Sequence, residues 1–249
     1  MNYNPYSLEE KTILITGASS GIGQTTAIEC SKMGAKLILT ARNEERLNET
    51  YVLLAGEGHE KITADLTSEE DMNNLVNSVS KLDGLVNNAG ISKMLPIQFI
   101  NKENLNSVFK TNTLAPVYLT QFLYKKKKFN KGASIVFTST IGGITIFTHG
   151  HSIYGMSKAA INSFMKFAAI EFAARKIRCN CVNPGMIETP LIHSEGALSS
   201  EDLQKDATLY PLKRYGQPND VAFGIIYLLS NASSWVTGIN LIIDGGISV

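Results

Sequence analysis

Three glycines, Gly17, Gly21 and Gly23, separate a β-branched run at residues 11–16 from a helix-forming stretch at 24–33 that Gly34 closes. Strand, glycine turn, helix is the order that carries a dinucleotide phosphate. Bare backbone lets N–H groups approach the pyrophosphate, and the helix start supplies positive potential. The spacing, Gly-x-x-x-Gly-x-Gly, differs from the commoner G-x-G-x-x-G. Three glycines at such a junction weaken packing unless something needs the room. The turn therefore predicts the first βα unit of an α/β fold, with Gly17, Ser19, Ser20, Gly21, Ile22 and Gly23 against a cofactor.

The rest of the chain keeps this rhythm. Residues 36–40, 61–64, 82–86, 135–137, 178–182 and 240–243 read as strands. A long helix is expected at 154–174, and another at 220–230. Alternation of this kind predicts a single-domain Rossmann fold over residues 1–249, a doubly wound, mostly parallel sheet with helices on both faces. A chain of 249 residues is ample for such a core. Residues 191–211 break the pattern. They begin with Leu191 and Ile192, then turn polar at Ser194, Glu195, Gly196, Ser199 and Ser200. An irregular stretch like this beside a site is expected to cover it, as a lid at about 190–211.

The ends of the strands carry chemistry. The second strand runs into Ala41-Arg42, where an NAD site has an acid for the ribose 2′-hydroxyl. A guanidinium suits a 2′-phosphate instead, so the cofactor is expected to be NADP(H), with NAD(H) possible. Arg42 as a solvated cation opening the helix at 43–46 is the alternative. Asp65-Leu66 ends the third strand, followed by Thr67 to Glu70 with capping-box spacing. Asn87-Asn88-Ala89-Gly90 ends the fourth. Further on, Tyr154 and Lys158 stand four apart at the start of a helix, hence on one face. An ammonium beside a phenol favours phenolate and suits the Tyr to proton exchange with a carbonyl or alcohol oxygen near neutral pH.

In this order and spacing, Thr16 through Gly23, Asp65-Leu66, Asn87 through Gly90, Asn112, Ser139, Tyr154 through Lys158, Asn183-Pro184-Gly185 and Asp244-Gly245-Gly246 resemble the short-chain dehydrogenase/reductase family over nearly the whole chain. The resemblance implies that Tyr154 is the general acid/base. It implies that Lys158 holds the nicotinamide ribose and tunes the phenol, and that Ser139 binds the substrate oxygen. Asn112 would support a water relay to Lys158. Asp65, Leu66, Asn88, Ala89 and Gly90 would border the cofactor, with Pro184, Gly185 and Ile187 under the carboxamide and Thr189 bonded to it. Ser139 precedes Tyr154 by 15 residues, two more than the family's usual interval. Two extra residues are therefore expected in the loop between them, with Thr138 and Thr140 as alternative hydroxyls.

The resemblance also implies reduction of a carbonyl, in the manner of 3-oxoacyl-[acyl-carrier-protein] reductases. Sugar, steroid and small-alcohol dehydrogenases share the same ending, and a non-catalytic cofactor-binding sensor or scaffold is the remote alternative. Met94, Leu95, Phe147, His149, His151, Ile187 and Leu191 are the expected substrate lining. The charge run at 125–128 reads as a solvated helix end or as a docking patch for an acidic acyl carrier protein. A homotetramer is expected, partly because the resemblance implies association through two long helices near 103–126 and 154–175 and through the C-terminal strand, and partly from apolar residues around most of the 154–175 helix.

A net charge of +1 argues against a nucleic-acid partner. Cys30, Cys179 and Cys181 are too few and too scattered for a metal site, so no metal is expected. They read as buried thiols of a reducing compartment. No basic, apolar leader opens the chain and no stretch is long and apolar enough for a membrane span, so the cytoplasm is the expected location.

Overall fold

The computed structural model describes residues 3–194 and 200–249. Its seven strands are β1 (Thr12–Thr16), β2 (Lys36–Ala41), β3 (Glu60–Thr63), β4 (Leu82–Asn87), β5 (Phe129–Thr138), β6 (Arg178–Pro184) and β7 (Asn240–Ile243). They form one sheet in the order β3-β2-β1-β4-β5-β6-β7, parallel at every step. The expected doubly wound parallel sheet is the one the chain forms. The order reverses between β1 and β4, and ligands of such sheets bind outside the strand ends at that point.

Period-two alternation along the strands feeds two cores. Leu14, Ile38, Leu85, Ile135 and Phe137 face α3 (Glu69–Ser78), α5 (Ala115–Lys125) and α6 (Ser152–Glu171). Ile13, Ile15, Leu37, Leu39, Val86 and Val136 face α1 (Gly21–Lys32), α2 (Glu44–Tyr51) and α7 (Pro218–Leu229). Cys179 and Cys181 share the first face and, like Cys30 on the second, are buried free thiols. No helix among the described residues is long and apolar enough to cross a membrane.

Three local features depart from expectation. The helix near 103–126 is two helices, α4 (Lys102–Phe109) and α5, joined by a wide π turn at Lys110–Leu114. Pro116 explains the break. It has no N–H for the carbonyl four residues back, which belongs to Asn112, and its ring crowds that carbonyl. The expected capping box at Thr67 to Glu70 does not form: Asp65 Oδ1 takes the Thr67 N–H and hydroxyl at 2.8 Å each, Ser68 caps α3 at Asp71 N instead, and Asp71 Oδ2 accepts from Asp65 N at 2.8 Å.

The lysine run ends α5 and is largely exposed, as a solvated helix end would be, and the third departure is that it also closes a second helix. Lys126 Nζ donates to Asn77 Oδ1 (2.6 Å) and Lys128 Nζ to Val79 O (2.6 Å), closing the C-terminal end of α3, where cations suit the helix dipole. Lys128 leads into β5, whose far end is the cofactor edge. Ten strand residues span roughly 33 Å, so the run and the candidate site lie at opposite edges of the sheet.

Candidate active site

One cavity of about 1710 Å³ runs along the C-terminal edge of the sheet. Single-ligand pockets hold roughly 300–1,000 Å³, so this one has room for a dinucleotide and a second molecule. Its floor is the glycine turn. Gly17 and Gly21 have φ of 65° and 53°, left-handed values that disfavour a side chain. A Cβ on Gly17 would stand 2.8 Å from Ala89 Cα. Gly23 needs its bareness for another reason: a Cβ there would collide with Gly17 O and Asn88 Nδ2. Gly23 therefore sits behind the turn and does not line the cavity, unlike Gly17, Ser19, Ser20, Gly21 and Ile22.

Thr16, which the motif reading passed over, ties β1 to β4. Its Oγ1 donates to Val86 O (3.3 Å) and accepts from Asn88 N (2.9 Å) and Ala89 N (3.1 Å). The Asn88 amide is spent on Thr16 O and Gly17 O at 3.2 and 3.3 Å, so it shapes the turn while its backbone borders the cavity. The first turn of α1 has no acid, and the Ser20 side chain makes no capping bond. The positive end of α1 is thus directed at the cavity with no protein anion against it. A pyrophosphate fits this cradle.

Toward the other end of the groove, Arg42, Arg46, Asp65 and Leu66 line the wall. Burial would raise the Asp65 carboxyl. The Thr67 N–H and hydroxyl and the charges of Arg42 and Lys110 outweigh it and hold the group below the usual carboxylate range.

The reacting end is assembled from β5, the π turn and α6. Ser139, at the end of β5, is buried, and its Oγ donates to Lys158 O (3.2 Å). Of the alternative hydroxyls, Thr140 is spent capping Gly142 N (3.2 Å), and Thr138 Oγ1 is buried without a partner among the described residues. Tyr154 borders the cavity, with Lys158 Nζ 5.8 Å from its ring centre. Lys158 is only 4% exposed and donates to Thr138 O at 2.8 Å. Burial, opposed by Cys181, pushes its ammonium down to about 8.

Asn112 is the one expected catalytic residue that stands off the cavity wall. It is buried in the π turn, exchanging bonds with Ile91 (Nδ2 to O, 2.8 Å; Oδ1 from N, 2.9 Å) and donating to Ser157 Oγ at 3.1 Å. A Cβ on Gly90 would lie 3.2 Å from Lys158 Nζ and 3.3 Å from Asn112 Oδ1, so the three meet. Ser157, missed from sequence, is the staple: its hydroxyl donates to Tyr154 O and its carbonyl accepts from Thr113 Oγ1.

The loop between Ser139 and Tyr154 folds onto itself. A tight turn at Ile141–Gly143 docks on α6, where bare Gly155 lets the Gly142 carbonyl approach. Beyond it, Gly150 O accepts from Leu95 N at 2.7 Å, and the segment joins Met94 in walling the cavity through Ile146, Phe147 and His149. Met94, Phe147, His149, His151, Ile187 and Leu191 line as expected. Leu95 does not: only its backbone is engaged. Pro184, Gly185, Ile187 and Thr189 border the cavity too, though Ile187 is mostly packed in the core and bridged to Gly216. Thr189 closes over Gly21, whose Cβ would stand 3.1 Å from its methyl.

From the expected lid, Leu191, Ile192, Leu203, Asp206 and Tyr210 reach the cavity, joined by Ile247 of the C-terminal tail. Tyr210 OH accepts from Met186 N (3.2 Å), and Asp206 accepts from Tyr215 OH (2.7 Å). Glu195, Gly196 and Ser199 lie outside the described residues.

A family model described as enoyl-(acyl carrier protein) reductase matches residues 17–248. A tropinone reductase homologue of Arabidopsis thaliana is 36% identical over 98% of this chain and 92% of that protein. Another from the same plant is 33% identical over the same shares. A solved short-chain type dehydrogenase/reductase from Mycobacterium ulcerans superposes with a TM-score of 0.88 at 30% identity, over 97% of this chain and 91% of that one. With this likeness running the length of the chain, the protein belongs to the short-chain dehydrogenase/reductase family of oxidoreductases, whose members bind a nicotinamide cofactor.

Proposed function

We propose that the protein is an NADP(H)-dependent carbonyl reductase that turns a ketone into a secondary alcohol. The observation that carries this is the convergence of Ser139, Tyr154 and Lys158 on one cavity that also holds the glycine cradle. The nicotinamide supplies the hydride when bound. The chain's own part is to hold and protonate the oxygen. Ser139 Oγ would turn from Lys158 O toward the substrate oxygen, and Tyr154 would deliver the proton. The Lys158 ammonium favours the phenolate that remains. Asn112, through Gly90 and Ile91, keeps Lys158 and the π turn in place. We read residues 190–211 as the cover over the substrate.

Relatives named as tropinone reductase homologues favour a compact ketone. A solved structure named for candidate betaketoacyl-ACP reductase activity (TM-score 0.84, 30% identity) keeps 3-oxoacyl thioesters as the second reading. We assign no carrier docking to the lysine run, because it caps α3 at the far edge of the sheet. NADPH oxidation with cyclic ketones, keto sugars, steroids and acetoacetyl thioesters in parallel tests the assignment. Turnover of a ketone supports it, and no turnover with any carbonyl removes it in favour of a cofactor-binding sensor.

For the cofactor, Arg42→Asp should shift the ratio of kcat/KM for NADPH over NADH toward NADH, since a carboxylate repels a 2′-phosphate and accepts from a 2′-hydroxyl. An unchanged ratio makes Arg42 a bystander.

We also propose a homotetramer. Of the apolar residues on α6, Ile161 and Met165 are buried, but Phe167 and Ile170 are 62% and 75% exposed, one turn apart. On the β7 side, Trp235 is 99% exposed, and Phe223 and Ile242 are uncovered. Uncovered apolar surface on two sides of a chain suits two isologous contacts, hence D₂ symmetry. Light scattering at micromolar concentration should give the tetramer mass, and a monodisperse monomer would rule it out.

A further inference from the structure

We infer that Asn162 and Asn183 are positioning residues for Ser139, a buried pair of side-chain amides that pins the end of β5 to α6 and β6. The inference rests on the role proposed above for Ser139 at the substrate oxygen. It adds two side chains that stand off the cavity wall and touch neither cofactor nor ketone.

Period-two alternation puts Asn183 on the same face of β6 as Cys179 and Cys181, the face packed against α6. An apolar side chain is the ordinary choice there. On α6, Asn162 stands one turn after Lys158 and two after Tyr154, beside buried Ile161 and Met165. The two amides meet in this core. Asn183 Nδ2 donates to Asn162 Oδ1 at 3.1 Å and to Thr140 O at 3.0 Å. Ser139 is thereby held along the chain from both sides: its own N–H donates to Val182 O at 2.8 Å, and the carbonyl of the next residue is taken by Asn183. Its hydroxyl lies against Lys158 O, one turn before Asn162 on the same helix. One pair of amides thus joins three parts of the site: the strand end that carries Ser139, the helix that carries Tyr154 and Lys158, and the β6 end that runs into Pro184 and Gly185.

The arrangement costs stability. Asn162 and Asn183 are 5% and 0% exposed, and Asn162 Nδ2 and Asn183 Oδ1 are buried with no partner among the described residues. An unpaired buried polar atom loses its water without compensation, whereas two apolar side chains of the same shape would fill this space at no such cost. Packing leaves the amides little room to turn, since a Cβ on Gly143 would stand 3.3 Å from Asn162 Nδ2. A polar pair kept at that cost serves position over stability, and the group it positions is the Thr140 carbonyl, next in the chain to Ser139.

A double-mutant cycle tests this, with steady-state rates on the best ketone for the wild type, Asn162→Leu, Ser139→Ala and the double variant. Leu has the branched shape of Asn but cannot accept from Asn183. Asn162→Ala, which only removes atoms, runs in parallel in case Leu does not fit beside Gly143, and thermal melts establish that each variant is folded. Asn162→Leu should lower kcat by roughly 10- to 100-fold, as a displaced reacting group does, with KM for the ketone and NADPH affinity near those of the wild type. In the Ser139→Ala background the same substitution should cost less than about threefold more, because the hydroxyl it displaces is already gone. A fall that multiplies in full with that of Ser139→Ala would make Asn162 a structural residue and overturn the inference. Unchanged kcat in folded Asn162→Leu and Asn162→Ala, beside a slow Ser139→Ala, would overturn it alone. A Ser139→Ala variant as fast as the wild type would overturn the Ser139 reading and the inference together.

Discussion

Replacing Tyr154 by Phe should lower kcat by about 10²–10⁴-fold, the usual contribution of a positioned acid or base, while NADPH affinity stays near that of the wild type. The hydroxyl borders the cavity with the Lys158 ammonium on the same helix face, 5.8 Å from the ring centre. The ring itself is held by α6, and the Ser157 and Asn112 bonds that brace this turn use the Tyr154 backbone and not its phenol. Cofactor titration alongside steady-state rates separates the two effects. A variant that keeps more than roughly a tenth of kcat would show that the proton comes from elsewhere.

Replacing Lys158 by Met should abolish turnover and make the protein more stable at neutral pH. The side chain is 4% exposed, and burial brings its ammonium to about 8 from an ordinary value of 10.5. The sign follows from linkage. The unfolded chain binds this proton more tightly than the native one. The cost of the buried charge is therefore fully present below about pH 8 and is relieved as pH rises from about 8 toward 10.5. Exchanging a buried charge for an apolar side chain of similar volume commonly stabilises by about 1–4 kcal/mol. The orphaned Thr138 carbonyl takes part of that back, leaving a gain of about 1–3 kcal/mol. Denaturant melts at about pH 7 and about pH 9.5 measure it, with the gain shrinking at the higher pH. A variant less stable than wild type at neutral pH would mean that the lysine is a structural strut. On the catalytic side, loss of the Lys158 proton above about pH 8 should depress kcat/KM, since a neutral amine no longer favours phenolate.

Much of this was legible in the residues. The parallel sheet with helices on both faces follows from the alternation of strands and helices along the chain, and the glycine turn marked the first βα unit; the strand order itself, β3-β2-β1-β4-β5-β6-β7, depends on long-range pairing that no local pattern carries. What escaped did so for physical reasons. The π turn is invisible to a 3.6-residue periodicity. Only Pro116 hints at it, because it has no N–H for the carbonyl of Asn112 four residues back. Thr16 and Ser157 are small hydroxyls that bond to backbone groups distant in sequence, and no spacing pattern marks such partners. Gly23 was read as touching a ligand, whereas its missing Cβ makes room for Gly17 O. The lysine run looked like a surface patch because the α3 carbonyls it closes lie about 50 residues earlier.

The most direct test of the central claim is label transfer. NADPH carrying deuterium at both positions of nicotinamide C4 would be mixed with the enzyme and the best ketone of the panel, and the alcohol analysed by mass spectrometry. The account predicts a single deuterium on the carbinol carbon of the wild-type product and no product above background from Tyr154→Phe. An alcohol formed without label, or formed equally fast by the Phe variant, would contradict it.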